Sequence, residues 1–284
     1  MQVVITIAGL GQRFQQQGYA QPKPLVSVID KPAIYYLIES FSKTWKLFFV
    51  IGQHLKNTEV EAVIKSYRSD AVVIYTTNSD RGPVDTVLAA IPFLDPTQSV
   101  VVSYCDYALV WDPDQFNDFV KDSDCDCAVI SYRGFHPTYL GPNTYAHLLV
   151  DEESNRILKI QEKKLFTNDI QKEWSSVGFY YFRNVSLLEK GIQLQLKHNL
   201  KHGNEFYTSL AIQALLNESL DLKTRNYEIS HIMQMGTPAD IQLIEKWYMI
   251  YKKKEKVELP TFSAQDVLQF QYFKVLFEKL FHLF

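Results

Sequence analysis

The opening of the chain, Val3-Val4-Ile5-Thr6-Ile7-Ala8-Gly9-Leu10-Gly11-Gln12-Arg13-Phe14, limits what it can fold into more than any other stretch. Its apolar and β-branched run reads as a buried strand. The strand enters two glycines, which permit a tight turn and let bare N–H groups approach an anion. Arg13, and Lys23 within Gln21-Pro22-Lys23-Pro24-Leu25, then place two cations over whatever the loop holds. Such a turn suits a polyphosphate. A dinucleotide-binding fold is the sharpest rival, because Gly9-x-Gly11 follows a strand and Asp30 ends a second one about 20 residues on. Two facts weigh against it. The third glycine position is Phe14, and Gly18, Pro22 and Pro24 interrupt any long helix after the turn. A dinucleotide fold needs that helix, its N-terminus aimed at the pyrophosphate. A long basic loop is the better reading.

Downstream the pattern alternates. Strands are expected at Leu25–Ile29, Lys46–Ile51, Ala71–Thr77 and Ser99–Tyr104. Helices are expected after Pro32, over about 58–68 with Thr58 and Glu61 as a capping box, and from Pro83 to Ala90. Short-spaced strand–helix alternation argues for right-handed βαβ units and a parallel sheet, whose ligands collect at the carboxyl ends of the strands. The opening loop, the polar loop 78–83 and Asp106 all fall at such ends. After a helix capped by Asp112-Pro113 and a strand Cys127–Tyr132, the character changes. A hairpin (Tyr145–Val150 with Arg156–Gln161), a strand Trp174–Phe182 and helices near 185–199 and 204–217 are expected to form a second lobe over the sheet. Gly236-Thr237-Pro238 starts a last core helix presenting Ile241, Ile244 and Trp247. Residues 1–250 therefore read as one unit, with a part of about 1–135 and a second of about 136–235. Residues 251–262 read as a linker. Residues 263–284 read as a phenylalanine-rich amphipathic helix capped by Ser263 and Asp266, suited to docking on the body, to dimerisation or to a membrane surface.

Composition closes off several classes. A net charge of −3 implies no nucleic-acid surface. Cys105, Cys125 and Cys127 have no paired C-x-x-C spacing, so neither a disulfide framework nor a structural zinc site is expected. Cys125 and Cys127 are expected on one face of a strand, in packing roles. A strand begins within three residues of Met1 and no long apolar run follows, so a cytoplasmic protein without a membrane span is the expectation. The seven histidines form no ligand pair and are expected at the surface or in packing.

The two N-terminal segments together resemble the signature of the sugar-1-phosphate nucleotidylyltransferases, which join an NTP to a phosphorylated small molecule and release pyrophosphate. The resemblance runs on over about residues 1–249. Gly82-Pro83-Val84-Asp85-Thr86-Val87 is similar to the glycine-led segment lining the nucleobase pocket, and Cys105-Asp106 to the metal-binding aspartate. Glu162-Lys163 is similar to the acceptor-contacting pair, Val177-Gly178-Phe179 to the strand behind it, and Asn204-Glu205-Phe206-Tyr207 to the acidic segment behind the acceptor. Gly236-Thr237-Pro238 resembles the closing motif. The resemblance implies a Rossmann-like, GT-A-type three-layer α/β fold with a mainly parallel central sheet, a smaller acceptor-binding lobe and a C-terminal helical tail. It implies nucleotide contacts from Ala8, Gly9, Leu10, Gly11, Arg13, Lys23, Gly82, Thr86 and Asp106. Acceptor contacts would come from Glu162, Lys163, Gly178 and Glu205, and Arg13, Lys23 and Lys163 would carry the chemistry.

That chemistry concentrates negative charge around the α-phosphorus, and asks for positioning and cations rather than a covalent nucleophile. A hard divalent cation, Mg²⁺, would bridge the phosphates and wants carboxylate oxygen, for which Asp106 is placed. The family's usual second acid, two residues before the closing glycine, is here Gln234; the amide, Asp240 or Glu228 would serve instead, or Asp106 alone. Pro83-Val84 and Ala146 also depart from the family pattern, and lean towards the branch working on capsule and surface-polysaccharide precursors, where CTP and non-sugar phosphates occur. Two other readings stand beside this one. A glycosyltransferase using a formed nucleotide-sugar is disfavoured because Asp106-Tyr107-Ala108 lacks Asp-x-Asp; a non-catalytic nucleotide-binding subunit is prompted by Gln234. The expected partners are an NTP, a phosphorylated acceptor and, through the C-terminal helix, a second copy of the chain.

Overall fold

A computed structural model of the chain describes residues 1–77, 81–219, 221–253 and 263–283. Strand β1 (Gln2–Ile7) leads through the glycine turn into a short helix, α1 (Gln12–Gln16). A small hairpin of β2 (Ser27–Val28) and β3 (Lys31–Pro32) then precedes α2 (Ala33–Glu39). The alternation continues with β4 (Lys46–Gly52), α3 (Val60–Tyr67), β5 (Val72–Thr76), α4 (Pro83–Ala90) and β6 (Val100–Tyr104). Next come β7 (Tyr107–Val110), α5 (Pro113–Asp122), β8 (Cys127–Tyr132), β9 (Ala146–Asp151), β10 (Arg156–Glu162) and β11 (Trp174–Phe182). Then follow α6 (Val185–Lys197), α7 (Thr208–Glu218), β12 (Thr224–Glu228), β13 (His231–Gln234), α8 (Pro238–Lys252) and α9 (Ala264–Leu283).

Among the described residues one sheet of nine strands runs β10-β9-β11-β6-β1-β4-β5, with β8 on β11 and β12 on β8. Its core β6-β1-β4-β5 is parallel, as the alternation requires. Along β1 the side chains alternate between faces: Val3, Ile5 and Ile7 enter one core cluster with Phe49 and Phe179, while Val4 enters the other with Phe48 and Val102. The second half of the chain continues this sheet instead of standing over it, because β11 pairs antiparallel with β6.

A third cluster lies under the glycine turn. Phe14, the residue where a dinucleotide fold would want glycine, is 2 % exposed and packs with Tyr36, Trp247, Phe273 and Phe277. The apolar stripe of α9 therefore docks on the body of its own chain. Tyr272 pins it, its hydroxyl accepting from the Ile232 N–H (3.0 Å) and donating to the Ile232 carbonyl (2.8 Å). The cap of Ser263 and Asp266 forms, with Asp266 N–H on Ser263 Oγ at 3.2 Å. Phe284, most of the expected linker (254–262) and Asn78, Ser79 and Asp80 of the expected polar loop lie outside the described residues.

Three local expectations fail for identifiable reasons. The strand expected over Leu25–Ile29 shrinks to Ser27–Val28, because Lys23–Leu25 forms a 3₁₀ turn and Ile29 takes φ 63°. Thr58 and Glu61 make no reciprocal cap: Thr58 Oγ1 donates to the Leu55 carbonyl (2.7 Å), and Glu61 accepts from Tyr75 Oη (2.6 Å). Cys125 and Cys127 do not share a face. Cys125 precedes β8, just after Asp124 at φ 45°, and the two thiols enter opposite core clusters.

Two buried histidines make the fold acid-sensitive. His147 bridges Asn143 (3.0 Å) and Ser175 (3.1 Å). Burial lowers it to about 4, and lowers His136 to about 3. Depressed histidines contribute stability that is complete above about 6.5 and is lost as the pH falls towards those values. Between pH 7.5 and 5.0 each of the two histidines should therefore take about 2 kcal/mol from the unfolding free energy measured in urea, partly offset by the raised carboxyl of Glu162. His147→Gln should remove its share of the slope.

Candidate functional site

Parallel register builds the site. Thr6 of β1 lies opposite Tyr104 of β6, so the chain leaves the sheet at one level at Ala8 and again at Cys105. At the first exit Gly11 takes φ 64°, a left-handed conformation that glycine adopts without penalty, and opens α1. At the second stands Asp106. Pro22 sets the chain entering a 3₁₀ turn, Lys23–Leu25, and Lys23 Nζ comes to 2.9 Å from Asp106 Oδ2. Burial works against the Lys23 charge, but the carboxylate outweighs it and the ammonium is held above the usual lysine range. Arg13 is exposed and has no ion-pair partner among the described residues.

Two cavities meet at these cations. The first, about 620 Å³, is walled by Ala8, Gly9, Leu10, Gly11, Arg13 and Lys23 on one side and by Gly82, Thr86 and Glu205 on the other. Gly82, at φ 90°, lets the loop lie against Glu205: a Cβ there would meet the Glu205 Cβ at 2.9 Å. The second cavity, about 800 Å³, shares Arg13 and Lys23 and adds Asp106, Glu162, Lys163 and Gly178. Every residue expected to contact the nucleotide or the acceptor thus lines one cavity or the other. Glu205 lies in the first, reached from Lys163 through Tyr207: Lys163 Nζ donates to Tyr207 Oη (2.6 Å), whose hydroxyl donates to Glu205 Oε2. Gly178, at φ 90° in an irregularity of β11, lies against the Tyr104 ring, where a Cβ would come within 2.7 Å.

The closing motif reaches Asp106 through a second pairing. β13 runs antiparallel to β7 with Gln234 opposite Tyr107, and the Met235 N–H donates to the Asp106 carbonyl at 2.7 Å. A Cβ on Gly236 would lie 3.1 Å from Asp106 Oδ2, 3.0 Å from Gln234 Nε2 and 3.6 Å from Asp240 Oδ2. Glycine therefore leaves a polar cradle between two carboxylates and an amide. Asp240 also caps α8, its Oδ2 accepting the Thr237 N–H at 2.7 Å. Glu228, at the exposed end of β12, lines neither cavity. No trio of His, Cys, Asp or Glu among the described residues is arranged to hold a metal. Two carboxylates suit a hard cation that takes its remaining ligands from phosphate and water.

Sequence reasoning missed the residues that set Glu162. Its carboxyl, 6 % exposed, accepts from Ser209 Oγ of α7. Burial pushes its pKa up to about 7, against the pull of Ser209 and Lys163. Nothing near position 162 in the sequence signals Ser209, because the pairing spans 47 residues. Burial likewise pushes Cys105 up to about 11, which keeps its thiol protonated and unsuited to nucleophilic attack near neutrality.

Residues 3–166 match the family model described as MobA-like NTP transferase domain. A stretch of 110 residues is 27 % identical to the bifunctional protein GlmU of Thermosipho melanesiensis, over 39 % of this chain and 22 % of that protein. A shorter one of 58 residues is 36 % identical to the UTP–glucose-1-phosphate uridylyltransferase YngB of Bacillus subtilis, over 20 % of each chain. The matched stretches thus span about a fifth of these relatives' lengths. In fold, the chain is similar to the nucleoside-diphosphate-sugar pyrophosphorylase of Vibrio cholerae (TM-score 0.69, 15 % identity, covering 84 % of this chain and 98 % of that one). It is also similar to the inositol-1-phosphate CTP transferase of T. maritima (TM-score 0.65, 14 % identity, covering 96 % of each).

The raised carboxyl gives a measurable slope. A glutamate whose folded pKa lies above its unfolded value loses stability as the pH rises from about 4.5 to about 7. Glu162→Gln, which keeps the acceptor for Ser209, should gain on wild type across that window and level off above it, by up to about 3 kcal/mol. Paired urea titrations at pH 5 and pH 8 test this; equal differences at both would place the Glu162 pKa in the ordinary range.

Proposed function

The chain belongs to the MobA-like NTP transferase family, and on that premise we propose that it is a metal-dependent nucleotidyltransferase. It joins an NTP to a sugar 1-phosphate or related phosphate ester, giving an activated precursor and pyrophosphate. The observation that carries this reading is the placing of Arg13 and Lys23 on the wall shared by two cavities, with Asp106 paired to Lys23 from within the second. One cavity offers a glycine loop and the other Lys163.

In this reading the triphosphate lies along the loop 8–11, where backbone N–H groups and the cations Arg13 and Lys23 meet its charge. An acceptor phosphate oxygen, steadied by Lys163, attacks the α-phosphorus; the α–β phosphoanhydride bond breaks and pyrophosphate leaves. Lys23 is fixed against Asp106 beforehand, so little reorganisation is needed as charge develops. Asp106 and Asp240, with the Gln234 amide, would hold a magnesium ion, which supplies charge neutralisation at the phosphate oxygens. Pro83 beside the first cavity and Ala146 in the second support a substrate range including CTP and surface-polysaccharide precursors.

Incubation with each of ATP, CTP, GTP, UTP and dTTP, Mg²⁺ and a panel of phosphorylated sugars and polyols should release pyrophosphate. Excess EDTA should stop the release and added Mg²⁺ restore it. Lys23→Ala should lower turnover at least ~100-fold. Silence across the whole panel would overturn the assignment, and a near-wild-type rate for Lys23→Ala would remove that residue from its role.

A further inference from the structure

The family match ends at residue 166, yet part of the second cavity's wall comes from the last described helix. Gln269 of α9 lines that cavity beside Leu243 and Asp240 of α8. It is 6 % exposed, and its Oε1 accepts from the indole N–H of fully buried Trp247 at 3.0 Å. That bond fixes how the amide is turned. The carbonyl is spent on Trp247, and the NH₂ group, two donors, has no hydrogen-bond partner among the described residues. The amide nitrogen is not among the enclosed unpartnered atoms, so its donors are reached from the cavity and are open to a ligand or water. The helix carrying it is held by the Tyr272–Ile232 bonds and by buried Phe273, Leu276 and Phe277, so the amide is presented from a rigid element.

We infer that Gln269 recognises the acceptor: its side-chain NH₂ donates a hydrogen bond to a hydroxyl or carbonyl oxygen on the acceptor's body. The inference rests on the function proposed above and adds to it a substrate class, phosphate esters whose body carries a hydroxyl or carbonyl oxygen. The phosphate itself belongs with Arg13, Lys23 and Lys163, where the positive charge is. A second anion beside Asp240 and the apolar Leu243 would be repelled and poorly solvated, whereas a neutral oxygen fits both neighbours.

Calorimetry with glucose 1-phosphate and with myo-inositol 1-phosphate tests this on wild type and on Gln269→Glu. The variant keeps an acceptor for Trp247 but loses the donor and adds a charge, so Gln269→Met, which loses the donor without adding charge, is measured beside it, and a purely structural role would leave binding by both unchanged. The expected result is at least ~10-fold weaker binding of whichever of these two phosphates wild type binds, with NTP affinity unchanged. Equal affinity, or an equal loss for NTP, overturns the assignment. If Gln269→Glu does not fold, Gln269→Met must show the same selective loss. Phosphocholine, whose body offers neither hydroxyl nor carbonyl, separates the two levels. Pyrophosphate release with phosphocholine but binding of neither hydroxyl-bearing phosphate leaves the function standing and overturns the role of Gln269. No release with any acceptor overturns the function and this inference together.

Discussion

The parallel pairing of β1 with β6 is the constraint on which the rest depends. Once Thr6 and Tyr104 stand opposite each other, the glycine turn and Asp106 must emerge at the same sheet edge, although most of a hundred residues separate them. Close packing on both faces of β1 holds that register, with Val4 filling one core cluster and Val3, Ile5 and Ile7 the other. Lys23 completes the arrangement from a proline-bounded turn with few conformations open to it. The chemistry is gathered by backbone geometry before any side chain contributes.

Much of this was legible in sequence because it is written in short-range signals. Strand ends, helix starts at Pro83, Pro113 and Pro238 and the hairpin about Asn155 all follow from residues within a few positions of one another. The failures share a cause. Thr58 and Glu61 have the right spacing for a cap, yet Tyr75 from the next strand takes the carboxylate. Ser209 on Glu162, and Tyr207 between Lys163 and Glu205, are contacts made across the fold that no local pattern announces. The phenylalanine stripe of α9 fits its own body as well as it would fit a partner; only the coordinates of the third cluster separate the two.

Electrostatically the site is uneven. Lys23 and Asp106 largely neutralise each other at 2.9 Å, Lys163 is taken up by the polarised Tyr207, and Arg13, with no ion-pair partner among the described residues, stands over the junction of the two cavities. On the far side a carboxyl near neutrality, Glu162, lies among tyrosines. A cationic mouth and a weakly charged interior match a ligand whose phosphate end and body differ in polarity.

Phe14 gives the glycine turn an unusual tether. Loops that meet ligands are commonly drawn from the least stable parts of a fold. Here the ring two residues beyond Gln12 is embedded in the cluster that also seats Trp247 and the final helix. Releasing the turn would mean extracting that ring, so the turn and the C-terminal helix behave as one cooperative block. Freedom at the mouth is thereby confined to side chains such as Arg13, and the backbone cradle arrives already shaped.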